Sequence, residues 1–346
     1  MSDALTAALT LLLATNRPAA ASNLVAEATG IRLPAPTAVA VAPGTNDPVE
    51  LELKAIMAED DAAQADIERM VEESDNPQDN PLAPQALTLS ARIRERAAPV
   101  RSRYERFIAD HPKNAKARTA FGSFLNDRGD EEEAIEQWEK ARTLDPSDPA
   151  VWNNLANVYA HIGPVAKSFP YYEEALRLNP AEPIYLHNFG TLVFMFRKDA
   201  TNYFKCDEQA VFTRAFELYK RAIELDPHNF QLAADVAQTY YGWRLPDQGS
   251  AEERRQAELN LQKTALQAWT NALTIAGTDA EREGVQLHFA RWNIRGGRYA
   301  DARTNLSSVT NEAHAIVRNR LLKSLAEHES GTQKTNSVPN GQPTTN

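Results

Sequence analysis

The stretches 115-AKARTAFGSFLNDRGDEEEAIEQWEKARTLDP-146 and 149-PAVWNNLANVYAHIGPVAKSFPYYEEALRLNP-180 are one pattern written twice, with Pro146 and Pro180 closing the copies 34 positions apart. Position for position, Phe121, Gly122, Leu125, Gly129, Ala134, Trp138 and Ala141 answer to Leu155, Ala156, Tyr159, Gly163, Ser168, Tyr172 and Ala175. Within the second copy Trp152, Leu155, Ala156 and Tyr159 are spaced three, one and three, which puts them on one face of a first helix A. Ser168, Tyr172 and Ala175 are spaced four and three and mark a second helix B. Gly163 ends helix A, where a left-handed cap is cheap for glycine. Pro180 stops helix B, because it has no amide hydrogen and its ring clashes with the preceding turn. A two-helix unit repeating at this period stacks into a solenoid, each unit packing on its neighbours.

This punctuation resembles the tetratricopeptide repeat family, over about residues 115–310. The helix B signature returns as Ala215, Tyr219, Ala222 and Pro227, and then as Ala265, Trp269 and Ala272. A last copy carries Phe289, Ala290, Gly297 and Ala302. The expected fold is therefore all-α: a right-handed superhelical solenoid of about five stacked helix-turn-helix units, with an N-terminal helical cap. Pro227 lies 47 positions beyond Pro180, so the third repeat holds 13 extra residues, placed near 197–210. The fourth is interrupted at 242–255 and has a lengthened helix B, and Gly277 stands where its closing proline is expected. The insertions are candidates either for specific contacts or for plain surface elaboration.

Outside the array, residues 1–47 read as an apolar N-terminal segment and a linker rich in Pro and Ala. The run 4-ALTAALTLLLA-14, with Ala19 and Ala21 beyond it, has the outline of a secretory signal, but Asp3 precedes it and no Lys or Arg does. A cytoplasmic protein is the expectation, with export if residues 1–21 are a signal peptide. Residues 48–110 form the helical cap region: an acidic part with Val49, Leu53 and Ile56 on one apolar face and Ala63, Ile67 and Met70 on another, then a turn at 75–84, then a basic helix. Asp60 or Asp61 is expected to cap a second acidic helix, and Pro99 to kink or divide the basic one. The basic helix is expected to pair with the acidic one. Residues 311–328 read as a C-terminal capping helix, and 329–346 as a disordered tail.

The 346 residues are 42% hydrophobic and carry a net charge of −10. That charge argues against a general nucleic-acid binder, which needs a basic stripe. No run of ~20 apolar residues predicts a membrane-spanning helix. The single cysteine, Cys206, builds no disulfide, zinc or iron–sulfur site by itself. The seven histidines, at 111, 161, 187, 228, 288, 314 and 328, are scattered. No phosphate-binding glycine loop, metalloprotease motif or nucleophile elbow is present. The reading is a protein that is no enzyme and takes no cofactor and no metal.

The resemblance implies that the A helices line a concave groove. The groove positions are Lys116, Thr119, Ala120, Ser123, Asn126 and Asp127 in the first copy and Asn153, Asn154, Asn157 and His161 in the second. His187, Asn188, Thr191, Phe194 and Met195 follow, then Asp235, Gln238 and Tyr241, and finally His288, Arg291 and Arg295. Asn154 and Asn188 share one position in successive repeats. An amide both donates and accepts, so such a row can grip the backbone of an extended peptide; it can equally bond between neighbouring helices. The leading expectation is a scaffold or adaptor that binds a protein or peptide segment in the groove. The alternatives are the accessory arm of a multi-subunit enzyme such as a transferase, and a self-associating envelope protein.

Overall fold

The computed structural model describes residues 46–72, 84–243, 245 and 249–336. The stretches at 1–45, 73–83, 246–248 and 337–346, with position 244, lie outside the described residues. With them go the signal-like run, most of the linker, nearly all of the 75–84 turn and the end of the tail. Every regular element among the described residues is helical. None of these helices is long and apolar enough to cross a membrane. The chain forms two compact units, Met1–Val211 and Phe212–Asn346.

The first unit opens with α1 (Pro48–Glu72) and α2 (Pro84–Asp110). α1 is one helix, so Asp60 and Asp61 lie inside it and cap nothing. The reason is visible in the burial: Leu53, Ile56, Ala63 and Ile67 all face inward, and Asp60 sits between Ile56 and Ala63 in a single stripe. The two apolar faces expected from sequence are thus one, with a carboxylate in the middle. Asp60 Oδ2 accepts a hydrogen bond from Tyr104 Oη at 3.1 Å. Burial pushes its carboxyl above the usual range, against the pull of that bond and of Arg128. α2 runs unbroken through Pro99, which is exposed, while Val100, Tyr104 and Phe107 beside it are anchored in the core. The basic helix does meet the acidic one: Arg96 Nε is 2.7 Å from Asp66 Oδ2, and Arg103 pairs with Glu59. Such part-exposed pairs are worth up to about 1 kcal/mol each, so the shared apolar core carries the docking.

That core continues into the repeats. Leu53, Ile56, Val100, Tyr104 and Phe107 belong to one cluster with Phe121, Phe124, Leu125, Trp138, Val151 and Leu155. The repeats are α3 (Ala115–Asp127) with α4 (Glu131–Leu144), and α5 (Pro149–Ile162) with α6 (Ser168–Leu178). Asn114 and Asp148 cap the A helices, accepting from the backbone N–H of Ala117 and Ala150 at 2.9 Å. Gly163 ends α5 at φ 74°, in the region that favours glycine. Across each helix pair, volume is traded. Gly122 faces Trp138 in the first copy, so closely that an added Cβ would stand 2.5 Å from Nε1. The second copy places Ala156 and Tyr172, both fully buried, at the same two positions.

α7 (Pro183–Met195) is the third A helix. The extra residues after it fold into a helix of their own, α8 (Arg197–Phe204). It lies back on the second repeat: Tyr203 stacks on Phe169 at 4.8 Å, and Phe204 meets the same ring edge-on at 5.7 Å. Tyr203 Oη donates to Glu173 at 2.8 Å. α9 (Glu208–Leu225) then carries the helix B signature, and the division between the units falls within it.

In the second unit α10 (Phe230–Thr239) packs on α11 (Ala251–Ile275), the lengthened helix B, which starts at a capping box formed by Ser250 and Glu253. α12 (Asp279–Arg295) starts at a second one, formed by Thr278 and Glu281, and pairs with α13 (Tyr299–Ser307). An amide network locks α11, α12 and α13. Gln262 Nε2 donates to the Trp292 carbonyl at 2.7 Å, Asn293 Nδ2 donates to Asn305 at 2.9 Å, and Arg298 donates to Asn293 at 2.7 Å. The final helix, α14 (Ala315–Asn336), buries Leu321 and Leu325 against Leu287, Ala290 and Ile294. It runs past 328 into the stretch expected to be without structure. The Arg303–Glu329 pair and the bond from Ser330 Oγ to the Ala326 carbonyl support that extra length.

Candidate functional site

The A helices place the expected groove residues in two sets, one in each unit. In the first unit the polar residues of α3, α5 and α7 form a connected row. Ser123 Oγ accepts from Asn154 Nδ2 at 3.5 Å. Asn153 Nδ2 reaches Asn154 Oδ1 at 3.4 Å, and Asn188 Nδ2 donates to Asn153 Oδ1 at 3.2 Å. The row therefore crosses three successive A helices. Asn153 and Asn154 are fully buried, and Asn188 is 1% exposed. Asn157, on the next turn of α5, accepts a hydrogen bond from Tyr172 Oη on α6. Amides at these depths need partners, since an unmade buried bond costs about 1–3 kcal/mol. These bonds join neighbouring helices.

The other first-unit residues are distributed around this row. Thr119 is buried and back-bonded to the Ala115 carbonyl at 3.1 Å, and its own carbonyl accepts from Trp138 Nε1 at 3.0 Å. Ala120 is core. Lys116 is tied to Glu50 of the cap at 2.7 Å. Asn126 is half-buried, and Asp127 is exposed. His161 Nδ1 stands 3.8 Å from Glu131 Oε1. His187 and Met195 are half-buried, and Thr191 is buried. Phe194 is nearly buried, with the Arg197 guanidinium 5.5 Å from its ring centre.

In the second unit, Asp235 is fully buried and accepts from Gln231 at 2.9 Å, and Gln238 is buried beside it on α10. Tyr241, just beyond α10, is brought onto α12. Its ring stacks on Trp292 at 4.8 Å and 16°, and its Oη lies 3.1 Å from His288 Nδ1. His288 stacks in turn on Trp269 at 3.8 Å and 9°. Burial, with the Arg291 charge as a second cause, pushes the imidazole down to about 3, so it is neutral at physiological pH. Burial also raises the Tyr241 phenol. Arg291 and Arg295 are exposed, their guanidinium carbons 5.4 Å from the Tyr241 ring centre and 5.1 Å from that of Trp292. Sequence reasoning selected Tyr241, His288, Arg291 and Arg295 but missed Trp269 and Trp292, which build the floor. The available signal was Trp292 lying next to Arg291, and Trp269 holding the helix B aromatic position.

Neither set is a catalytic constellation of a recognised kind. Among the described residues no group of His, Cys, Asp and Glu could hold a metal ion. The first set is centred on buried hydrogen bonds between A helices, and the second presents Arg291 and Arg295 at the surface over stacked rings.

Known proteins with similar sequences agree with the architecture. Residues 122–163 match a family profile described as TPR repeat, and residues 149–182 one described as Tetratricopeptide repeat. The chain is 30% identical over 128 residues to the photosystem I assembly protein Ycf3 of Rippkaea orientalis, which covers 34% of this chain and 74% of that protein. The Ycf3 of Cyanophora paradoxa matches to the same extent. Among solved structures, YrrB, described as a TPR protein with an unusual peptide-binding site, superposes with a TM-score of 0.43 at 15% identity, over 64% of this chain and 97% of that one. With two adjoining repeats matched and a relative covered over most of its length, the chain belongs to the tetratricopeptide repeat family.

Proposed function

We propose that this protein is a non-enzymatic assembly scaffold that holds an extended segment of a partner protein along the A helices of its first unit. The observation that carries the reading is a set of half-buried polar side chains, Ser123, His161 and His187, on three consecutive A helices that the buried amide row holds together. Asn153, Asn154 and Asn188 are buried and bonded to one another, so they brace α3, α5 and α7, and a peptide lying across those helices meets the half-buried Ser123, His161 and His187. The coarse part of the reading, a scaffold for protein–protein contact, also follows from membership of the repeat family. The finer part, service in assembling a multi-subunit complex, is favoured by the likeness to Ycf3, whose name describes assembly of photosystem I.

The test is a pull-down from native lysate with the full chain as bait, beside Ser123→Ala/His187→Ala. The expected result is enrichment of subunits of one complex by the wild type, with several-fold less by the variant at an unchanged helical circular dichroism signal. If the variant captures the same subunits equally well, these side chains take no part in binding and the reading fails for this row. Unfolding of the variant would defeat the reading too, because the row would then be structural.

A further inference from the structure

The second unit carries a feature that the amide row does not explain. On α12, His288, Arg291 and Arg295 are spaced three and four, so they share a face. Two of its neighbouring arginines have acids at hand: Arg282 Nη2 lies 2.9 Å from Asp279, and Arg298 Nε lies 3.7 Å from Asp301. Among the described residues Arg291 has no carboxylate within 4.0 Å. Arg295 reaches Glu258 only at 3.6 Å, with both side chains well exposed. Among the described residues, these two exposed guanidinium groups on one helical face thus have at most one weak acidic partner, in a chain whose net charge is −10.

They are also held in place. Arg291 lies over the Tyr241 ring and Arg295 over the Trp292 ring. The two rings are stacked on each other. Tyr241 is fixed further by His288, which is itself stacked on Trp269. A planar guanidinium lying on an aromatic face is pre-organised and loses less freedom when it binds. The fork of N–H groups matches a carboxylate with two parallel bonds. His288 is neutral there, so the positive charge of the patch belongs to the arginines and does not vary across physiological pH.

We propose that Arg291 and Arg295, seated on the Tyr241–Trp292 stack, form a docking subsite for an acidic segment of a partner protein, with an Asp or Glu carboxylate received by the guanidinium edges. Charge complementarity selects the occupant. A nucleic-acid phosphate would satisfy the same fork, but a polyanion several phosphates long would also meet the net negative charge of the protein. This subsite uses none of the first-unit asparagines, so it goes beyond the scaffold reading and can fail separately from it.

The experiment is fluorescence anisotropy on the full chain with three labelled probes: an extended peptide of alternating Glu and Ala, the same peptide with Gln for Glu, and a single-stranded oligothymidylate of equal charge. Binding of the Glu peptide is expected, weakening as salt is raised, with the Gln peptide at least ~10-fold weaker. Arg291→Gln and Arg295→Gln should each lower affinity for the Glu peptide by about 10-fold. Arg291→Lys should restore little of it, because an ammonium has neither the fork nor the stacking plane. Arg303→Gln, which removes an exposed positive charge of α13 outside the stack, should bind the Glu peptide as the wild type does, and an equal loss there would mark unspecific charge attraction and overturn the proposal. The proposal is overturned if the Glu peptide does not bind, if the Gln peptide binds equally, if the arginine variants bind unchanged, or if Arg291→Lys matches the wild type. Preferential binding of the oligothymidylate would overturn it in favour of a nucleic-acid site.

Discussion

Replacing Gly122 by alanine sets two physical effects against each other. Gly122 lies inside α3, where alanine is intrinsically better than glycine by about 1 kcal/mol. Helix propensity alone therefore calls for a more stable protein. The packing calls for the reverse. A Cβ on Gly122 would stand 2.5 Å from Trp138 Nε1, 2.6 Å from Cδ1 and 2.9 Å from Cε2, against 3.4–4 Å for ordinary contact. The indole must retreat by roughly 1 Å. It is 1% exposed in a core shared with Phe121 and Leu125, so the retreat displaces neighbours in turn. Overpacking of this kind costs about 1–3 kcal/mol. The retreat also lengthens the 3.0 Å bond from Trp138 Nε1 to the Thr119 carbonyl. Losing that bond costs about 1 kcal/mol more. Set against the propensity gain, the net expectation is a loss of about 1–3 kcal/mol. Urea unfolding of Gly122→Ala, Trp138→Phe and the double variant, followed by circular dichroism and fluorescence together, measures it. Trp138→Phe removes Nε1 and its ring from the path of the new methyl, so the double variant should be less destabilised than the sum of the singles. A Gly122→Ala protein more stable than the wild type, or strict additivity with Trp138→Phe, would refute the argument.

Two further outcomes follow from the buried titratable groups. Asp60→Asn keeps an acceptor for Tyr104 Oη but removes a carboxylate whose pKa burial raises; it should be as stable as the wild type at pH 7 or more stable by up to about 1 kcal/mol, and a clear loss in urea unfolding would show that the Asp60 charge stabilises the cap. His288 has a folded pKa of about 3, below its ordinary value of 6.5, so between these values the unfolded chain binds more protons and stability falls as the pH is lowered. The slope from this group reaches at most about 1.4 kcal/mol per pH unit. His288→Phe keeps a ring against Trp269 and should flatten the decline between pH 7 and pH 5 in urea titrations; an unchanged decline would place the pH dependence elsewhere.

Much of the first unit was legible because a repeat is a local statement. The spacing of Phe121, Trp138, Ala141 and Pro146, copied at 34 residues, specifies two helices, their turn and their mutual face without reference to the rest of the chain. The cap was less legible. Periodicity divided its acidic part at Asp60 and Asp61, because an aspartate in a stripe reads as an end. Tyr104, 44 positions away, is what makes Asp60 tolerable inside. The insertion near 197–210 was located by counting between prolines, yet its helix is held by Phe169 of an earlier repeat, a contact no local pattern announces.

The candidate sites divide in the same way. Sequence placed Asn154 and Asn188 at equivalent positions, and Arg291 and Arg295 on one helical face, since both follow from periodicity. It left open whether the asparagines bind each other or a ligand, and it gave no sign that Tyr241 lies on Trp292. Hydrogen bonds and ring stacking depend on which residues meet across helices. Chain order fixes the period of each helix and so which side chains share a face; only the packing of one helix on the next fixes what that face meets.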